Sequence, residues 1–318
     1  MPFNSQTTRD DAAALIPEEV SAEIIKNLAE TSWLFQLGRR LPDLARAQLR
    51  MPVASALATA YFVTGDTGLK QTTEVAWENK YIDAEEIAAI VPISSAVLDD
   101  ADYDIWGEVR PALEEAFNVA ISGAVLYGTN IPATWTTNLG AAGLLARATA
   151  AGQVASLGDF TDFYEAVEGE TADGEADGVL MLLEADGFGT TGHVADISVR
   201  GAMRNCRDSN GQRIYTDTDE VGGAPILYPL DGSMVSASSL MISGDWRQLV
   251  YAVRQDISYT LATEAVITDA GGNIVYNLFE QDMVALRAVM RLGVALPNPI
   301  NRMDETALTR CAFAVLTA

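Results

Sequence analysis

Residues 49–83, LRMPVASALATAYFVTGDTGLKQTTEVAWENKYID, constrain this chain more than any other stretch. A Tyr61-Phe62-Val63 run leads into Gly65, Asp66 and Gly68, and alternation resumes through Val75, Trp77, Asn79 and Tyr81. The pattern predicts two strands joined by a Gly-rich bend, a long hairpin. Apolar and polar residues mix on both arms, so neither arm has a strongly apolar inner face. A two-stranded ribbon alone is marginal in water. If this one projects from the body, it needs a partner surface.

The rest of the chain supplies that body. Residues 17–30 predict a helix, with Pro17 at a first helical position, Glu18 and Glu19 at its positive end, and Val20, Ile24 and Leu28 in one stripe. Residues 84–94 predict a short buried strand. From Tyr103 to Tyr127 comes the strongest helix signal: Trp106, Val109, Leu113, Phe117, Ala120, Ile121 and Ala124 recur at three- and four-residue steps. Asp99, Asp100, Asp102 and Asp104 crowd its start, Gly128 is placed to end it, and Pro111 implies a kink or a start near that point. The aromatic and aliphatic stripe reads as core. Further on, Phe160, Phe163 and Tyr164 fall in a helix, Val179–Leu183 reads as a buried strand, and Ser198–Cys206 as a helix. Asn210-Gly211 and Gly271-Gly272 are hairpin-type turns. Residues 247–259 and 266–276 read as strands. Residues 283–296 alternate strictly, so period two outweighs good helix formers there and one long strand is expected, closed by Pro297 and Pro299. Residues 311–316 give a last short strand.

Several chemistries are disfavoured. His193, the single histidine, lies in a Gly-Thr-Thr-Gly turn region, which leaves no material for a histidine triad or a multi-histidine metal site. Cys206 and Cys311 match no metal spacing and read as free thiols. A formal net charge of −24 works against phosphate-backbone binding, which rests on Lys and Arg. It suits a wall that faces nucleic acid without gripping it, and equally suits plain solubility. Lys26, Lys70 and Lys80 are the only lysines among 20 basic residues. The start, Met-Pro-Phe-Asn, shows no signal peptide pattern and no apolar run reaches membrane-spanning length, so a cytoplasmic origin is expected.

Asp173, Glu175, Asp177, Gly178 and Glu184 match the spacing of an EF-hand calcium loop. A strand over Val179–Leu183, and Ala-Asp-Gly-Phe-Gly after Glu184, would leave no second helix, so an acidic turn is the expected structure. Gly65–Lys70 lacks the ending of a phosphate loop. Asp99-Asp100 and Glu114-Glu115 read as solvated pairs. No nucleophile elbow is present. No cofactor is expected, and no enzymatic role.

The order of parts carries a resemblance. A short arm, a long hairpin and then IAAIVPISSAVLDDADYDIWGEVRPALEEAFNVAISGAVLYG resemble the strand, Asp-rich break and spine helix of tailed-bacteriophage major capsid proteins. SGDWRQLVYAVRQDISY and NLFEQDMVALRAVMRLGVAL are similar to later strands of that family. The resemblance implies the Hong Kong 97-like fold, of α+β class: an N-terminal arm and helix over 1–48, an extended loop over 49–83, a peripheral domain with the spine helix over 84–128, an axial domain over 129–275, and returning peripheral strands over 276–318. It implies an icosahedral shell of hexamers and pentamers around double-stranded DNA, assembled in the host cytoplasm with portal and decoration proteins. The family's long scaffolding segment finds no counterpart, which implies a separate scaffold protein or a trimmed precursor. Tyr61, Phe62, Leu69, Lys70 and Trp77 would then dock the hairpin on a neighbour. Arg39 and Arg40 would pair with a neighbour's acids, or simply cap a solvated helix end. Some relatives weld their shells through a Lys–Asn bond promoted by a Glu; here those positions fall loosely at Asp282 and Val289, which implies no covalent crosslink. The alternatives are an encapsulin-like compartment and, from another class, an acidic hydrolase.

Overall fold

A computed structural model describes residues 32–63, 68–100, 104–140, 142–169, 171, 174 and 177–318. The helix expected over 17–30 lies outside these.

The long alternating segment is the centre of a four-stranded sheet. Met283–Ala295 pairs antiparallel with Val250–Ala262 on one side and with Glu85–Ser94 on the other, and Arg39–Arg40 adds a short parallel edge. Period two sorts its side chains: Leu286, Ala288, Met290, Leu292 and Val294 all enter one apolar core. Their cross-strand partners Val91, Ala89 and Ile87 pack against the same core. Glu85–Ser94 is half-buried rather than buried, because only this face is covered. Its Glu86 forms an ion pair with Arg291 opposite, Nε to Oε2 at 2.8 Å.

The helix that covers the sheet runs Ile105–Tyr127, about 34 Å at 1.5 Å per residue. Leu113, Phe117, Ile121, Ala124 and Val125 are buried in the shared core. The Asp104 carboxylate caps the start by accepting from the Gly107 N–H at 3.1 Å, and Gly128 ends it at φ 68°, left-handed geometry that glycine enters without cost. The helix passes through Pro111 rather than starting there. A separate short helix, Ser95–Asp100, precedes it and holds Asp99 and Asp100.

A second sheet has six strands in the order Val154–Ser156, Phe313–Thr317, Met241–Gly244, Gly192–Ala195, Ala224–Leu227, Glu220–Val221. It is buried on both faces, and alternation again divides the residues. Phe313, Val315, Ile242 and Val194 join the first core, with Leu144 and Ala148 of helix Gly143–Ala150. Ala314, Leu316, Met241 and Ala195 join another core, roofed by helices Phe163–Glu168, Val179–Ala185 and Val199–Asn205. Trp246 links the two sheets. It sits in a single 3-10 turn between strands Met241–Gly244 and Val250–Ala262, is wholly buried, and donates Nε1–H to the Gly192 carbonyl at 2.9 Å. Its ring meets Trp33 and Phe313 edge-on at 5.2 and 4.9 Å.

The sheets do not follow the expected segment boundaries. Val250–Ala262, from the 129–275 segment, lies in the four-stranded sheet, and Phe313–Thr317, from 276–318, lies in the six-stranded one. Residues 266–276 form a ribbon of two strands, Val266–Thr268 and Ile274–Asn277, rather than one strand.

Two local readings are corrected. Val179–Ala185 is a helix, not a strand. A run of consecutive apolar residues fits either state; burial of Val179 and Leu183, four apart, decides for the helix. The objection to a calcium loop drawn from a strand there therefore falls. Asp173 and Glu175 lie outside the described residues, and among the described residues no cluster of three or more His, Cys, Asp or Glu is arranged for a metal.

His193 is not in a turn but in the buried strand Gly192–Ala195. Its Nε2 lies 3.0 Å from the Val221 carbonyl, which can only accept, so Nε2 carries the proton and Nδ1 accepts from the Ser243 hydroxyl at 2.7 Å. Burial pushes the imidazole pKa from 6.5 down to about 4. The unfolded chain takes up a proton that the folded one refuses, so this contribution is intact above 6.5 and drains away as pH falls toward 4. Between about pH 7 and about pH 4.5 the wild type should lose roughly 2–3 kcal/mol more than His193→Gln, read by urea unfolding at both pH values.

Candidate subunit interface

The hairpin forms at its base only. Gln48–Ala56 pairs antiparallel with Ala76–Asp83, from Gln48↔Asp83 to Ala56↔Ala76. The expected strand through Tyr61-Phe62-Val63 is absent: beyond Ala56 the described residues of both arms have no ladder. Without an apolar face to align them, the arms gain too little from pairing. Among the described residues one link across the arms remains, from the Thr59 N–H to the Thr73 hydroxyl at 2.8 Å.

The base is firmly seated. Ile82, fully buried, packs with Leu44, Val250, Ala252 and Ala295. Gly293 makes this possible: a Cβ there would meet Ile82 Cγ2 at 2.4 Å and the Asp83 carbonyl at 2.7 Å. Helix Ala133–Leu139 clamps the same edge, Trp135 Nε1–H donating to the Asp83 carbonyl at 2.9 Å and Asn138 Nδ2–H to the Tyr81 carbonyl at 2.7 Å. The Arg302 guanidinium donates to the Ala58 carbonyl.

Past that clamp the loop shows its apolar side chains to solvent. Fractional exposure is 56% for Tyr61, 106% for Phe62, 91% for Leu69 and 69% for Trp77. Lys70 is exposed beside them. Large apolar side chains left this open make the loop a candidate contact surface. Of the two arginines singled out, Arg40 pairs with its own subunit's Asp43 at 2.8 Å, and this contact holds its guanidinium above the usual range. Arg39, next to it on the strand edge, is exposed.

Sequence reasoning missed a second open surface. The ribbon of Val266–Thr268 and Ile274–Asn277 exposes Val266, Ile274, Val275 and Tyr276, with Leu261 and Phe279 at its root. Its turn is rigid, since the Asp269 carboxylate accepts from the N–H groups of Gly271 and Asn273, both at 2.8 Å. Adjacent apolar residues on both ribbon faces were the available signal.

A model of the Phage capsid family matches residues 12–301. The chain belongs to the phage capsid family. As a member it is a structural subunit of a capsid shell, with the α+β, Hong Kong 97-like fold. It is 27% identical over 286 residues to the major capsid protein of Staphylococcus phage 80alpha, covering 88% of this chain and 81% of that one. A structure from Microbacterium phage Oxtober96 matches it at TM-score 0.81 and 30% identity, over 98% of this chain and 99% of the other. The capsid of a native GTA particle with C5 symmetry shares the fold at TM-score 0.65 and 17% identity, over 99% of this chain and 100% of that one. These likenesses favour neither an encapsulin-like compartment nor an acidic hydrolase.

Proposed function

We propose that this capsid-family chain is a tailed phage's major capsid protein, which self-assembles as hexamers and pentamers into an icosahedral shell around double-stranded DNA. The observation that carries this reading is the exposure of Tyr61, Phe62, Val63, Leu69 and Val75 in the loop and of Trp77 at its root, large apolar side chains left open by their own subunit. In the shell, Tyr61, Phe62, Leu69, Lys70 and Trp77 lie on an adjacent copy. The four-stranded sheet and its helix serve as the peripheral domain, and the six-stranded sheet as the axial domain that points to the local symmetry axis. Exposed Arg39 and the ribbon at 266–277 supply further contacts between copies. Subunits of net charge −24 repel. Beyond a Debye length of about 8 Å at physiological salt that repulsion is screened, while apolar burial acts at contact. The acidic wall faces DNA without binding it. The chain does no chemistry of its own, is made in the host cytoplasm, and works with separate scaffold, portal and decoration proteins. Electron microscopy of the purified chain tests this: ring-shaped oligomers or larger shell-like assemblies are expected, and a monomer that stays monomeric at high concentration overturns it.

The shell is expected to be held without covalent bonds. Asp282 carries a carboxylate where a crosslinking amide would be needed, and its backbone carbonyl accepts from the Ser95 N–H at 2.9 Å. Val289 is a strand residue with no acid function, and Lys80 is engaged by Glu78 at 2.9 Å. Mature particles boiled in detergent should run as a single monomer band on a denaturing gel; a ladder of oligomers would contradict this.

A further inference from the structure

Strand Glu85–Ser94 and helix Ile105–Tyr127 leave an apolar groove between them, and it holds two cavities. One, of about 380 Å³, lies near the start of the helix between Val91, Ile105, Val109 and Ala112. The other, of about 390 Å³, lies further along between Ile87, Val119, Ala120 and Leu292. Ala116 falls midway between Ala112 and Ala120. Four-residue steps put all three alanines on one helix face, and all three are exposed. Side chains this small allow a second helix to approach closely. From Val109 to Ala120 the groove runs about 17 Å, at 1.5 Å per residue.

We infer that this groove receives the segment 17–30 of a neighbouring copy as a helix. The sequence of that segment, which lies outside the described residues, carries Val20, Ile24 and Leu28 at four-residue steps, one apolar stripe that needs cover. A helix of this length spans about 21 Å, enough to fill the groove. Ile24 then sits over Ala116, with Val20 and Leu28 toward the two cavities. Its own copy cannot bring the segment there. Phe35 meets Tyr251 ring to ring at 5.2 Å and Arg39 pairs with Val250, so the described chain starts on the flank of Val250–Ala262. The groove lies on the flank of Glu85–Ser94, across Met283–Ala295. Two residues separate position 30 from Trp33. They give about 10 Å of extended chain, too little to round a helix about 10–12 Å across. Donor and receiver thus lie on opposite flanks, so the contact runs head to tail and repeats from copy to copy, as a closed ring requires. The inference rests on the assembly proposed above, and wild-type assemblies are its control: if the wild type forms none, that reading fails first.

The experiment combines Ile24→Cys with Ala116→Cys in one full-length chain and treats the assembled protein with oxidised glutathione. Cys206 and Cys311 are buried and stay as they are. A disulfide needs Cα atoms about 4.4–6.8 Å apart, which two helices in contact over alanine supply. A non-reducing denaturing gel should show oligomers that neither single variant gives and that a reductant dissolves. Assemblies whose chains all run as monomers overturn the proposal, whether the two thiols stay free or close within one copy; closure within one copy would mean that the segment folds back on its own subunit. Should the double variant not assemble, Ile24→Asp takes its place. Its free subunit should melt as wild type does, while the assembled fraction at equal concentration falls about tenfold or more, because one aliphatic side chain no longer finds cover. An assembled fraction equal to wild type, or a free subunit that loses stability as much as the assembly does, overturns the idea.

Discussion

Deleting residues 61–77 should abolish particle formation while leaving a folded, soluble subunit. The deletion removes Tyr61, Phe62, Leu69 and Trp77, and burial of one such side chain contributes about 1.5–3 kcal/mol. Four per subunit give roughly 6–12 kcal/mol, an upper bound because ordering the loop opposes it. The subunit's own core would barely notice, since Ile82 and Trp135 lie inside the clamp at the hairpin base. Circular dichroism and melting temperature should match wild type, and electron microscopy should show no shells. Normal particles from this variant would defeat the docking account. Phe62→Ser with Leu69→Ser, which spares the backbone, should weaken assembly in the same direction.

The second large effect is on the subunit itself. Trp246→Ala should cost about 4 kcal/mol, the usual range for emptying a buried tryptophan site. It removes the edge contacts to Trp33 and Phe313 and leaves the Gly192 carbonyl without its indole donor. The melting temperature should drop by about 10 °C, at about 2–4 °C per kcal/mol for a chain of this size. A change under a few degrees would mean that Trp246 does not couple the two sheets. Trp246→Phe should recover part of the loss, because it refills volume without the N–H.

The elements that the sequence made legible are those whose pattern repeats over many turns or pleats. Met283–Ala295 and Ile105–Tyr127 carry their periods far enough for one reading to win, and Asp104 and Gly128 mark the helix ends by capping chemistry. Short apolar runs do not carry that information, which is why Val179–Leu183 reads as strand in the sequence while the chain forms the helix Val179–Ala185. Strand partners are also invisible locally: nothing in CAFAVL says that it pairs with Val154–Ser156. The residues proposed for docking are legible as unusual apolar residues in a weak ribbon.

The placement of Phe313–Thr317 between Val154–Ser156 and Met241–Gly244 means that the six-stranded sheet closes only when residues near 154, 242 and 315 have met. Contacts between segments so distant in the chain form slowly, so refolding of the subunit should be limited by closure of this sheet rather than by the local helix Ile105–Tyr127.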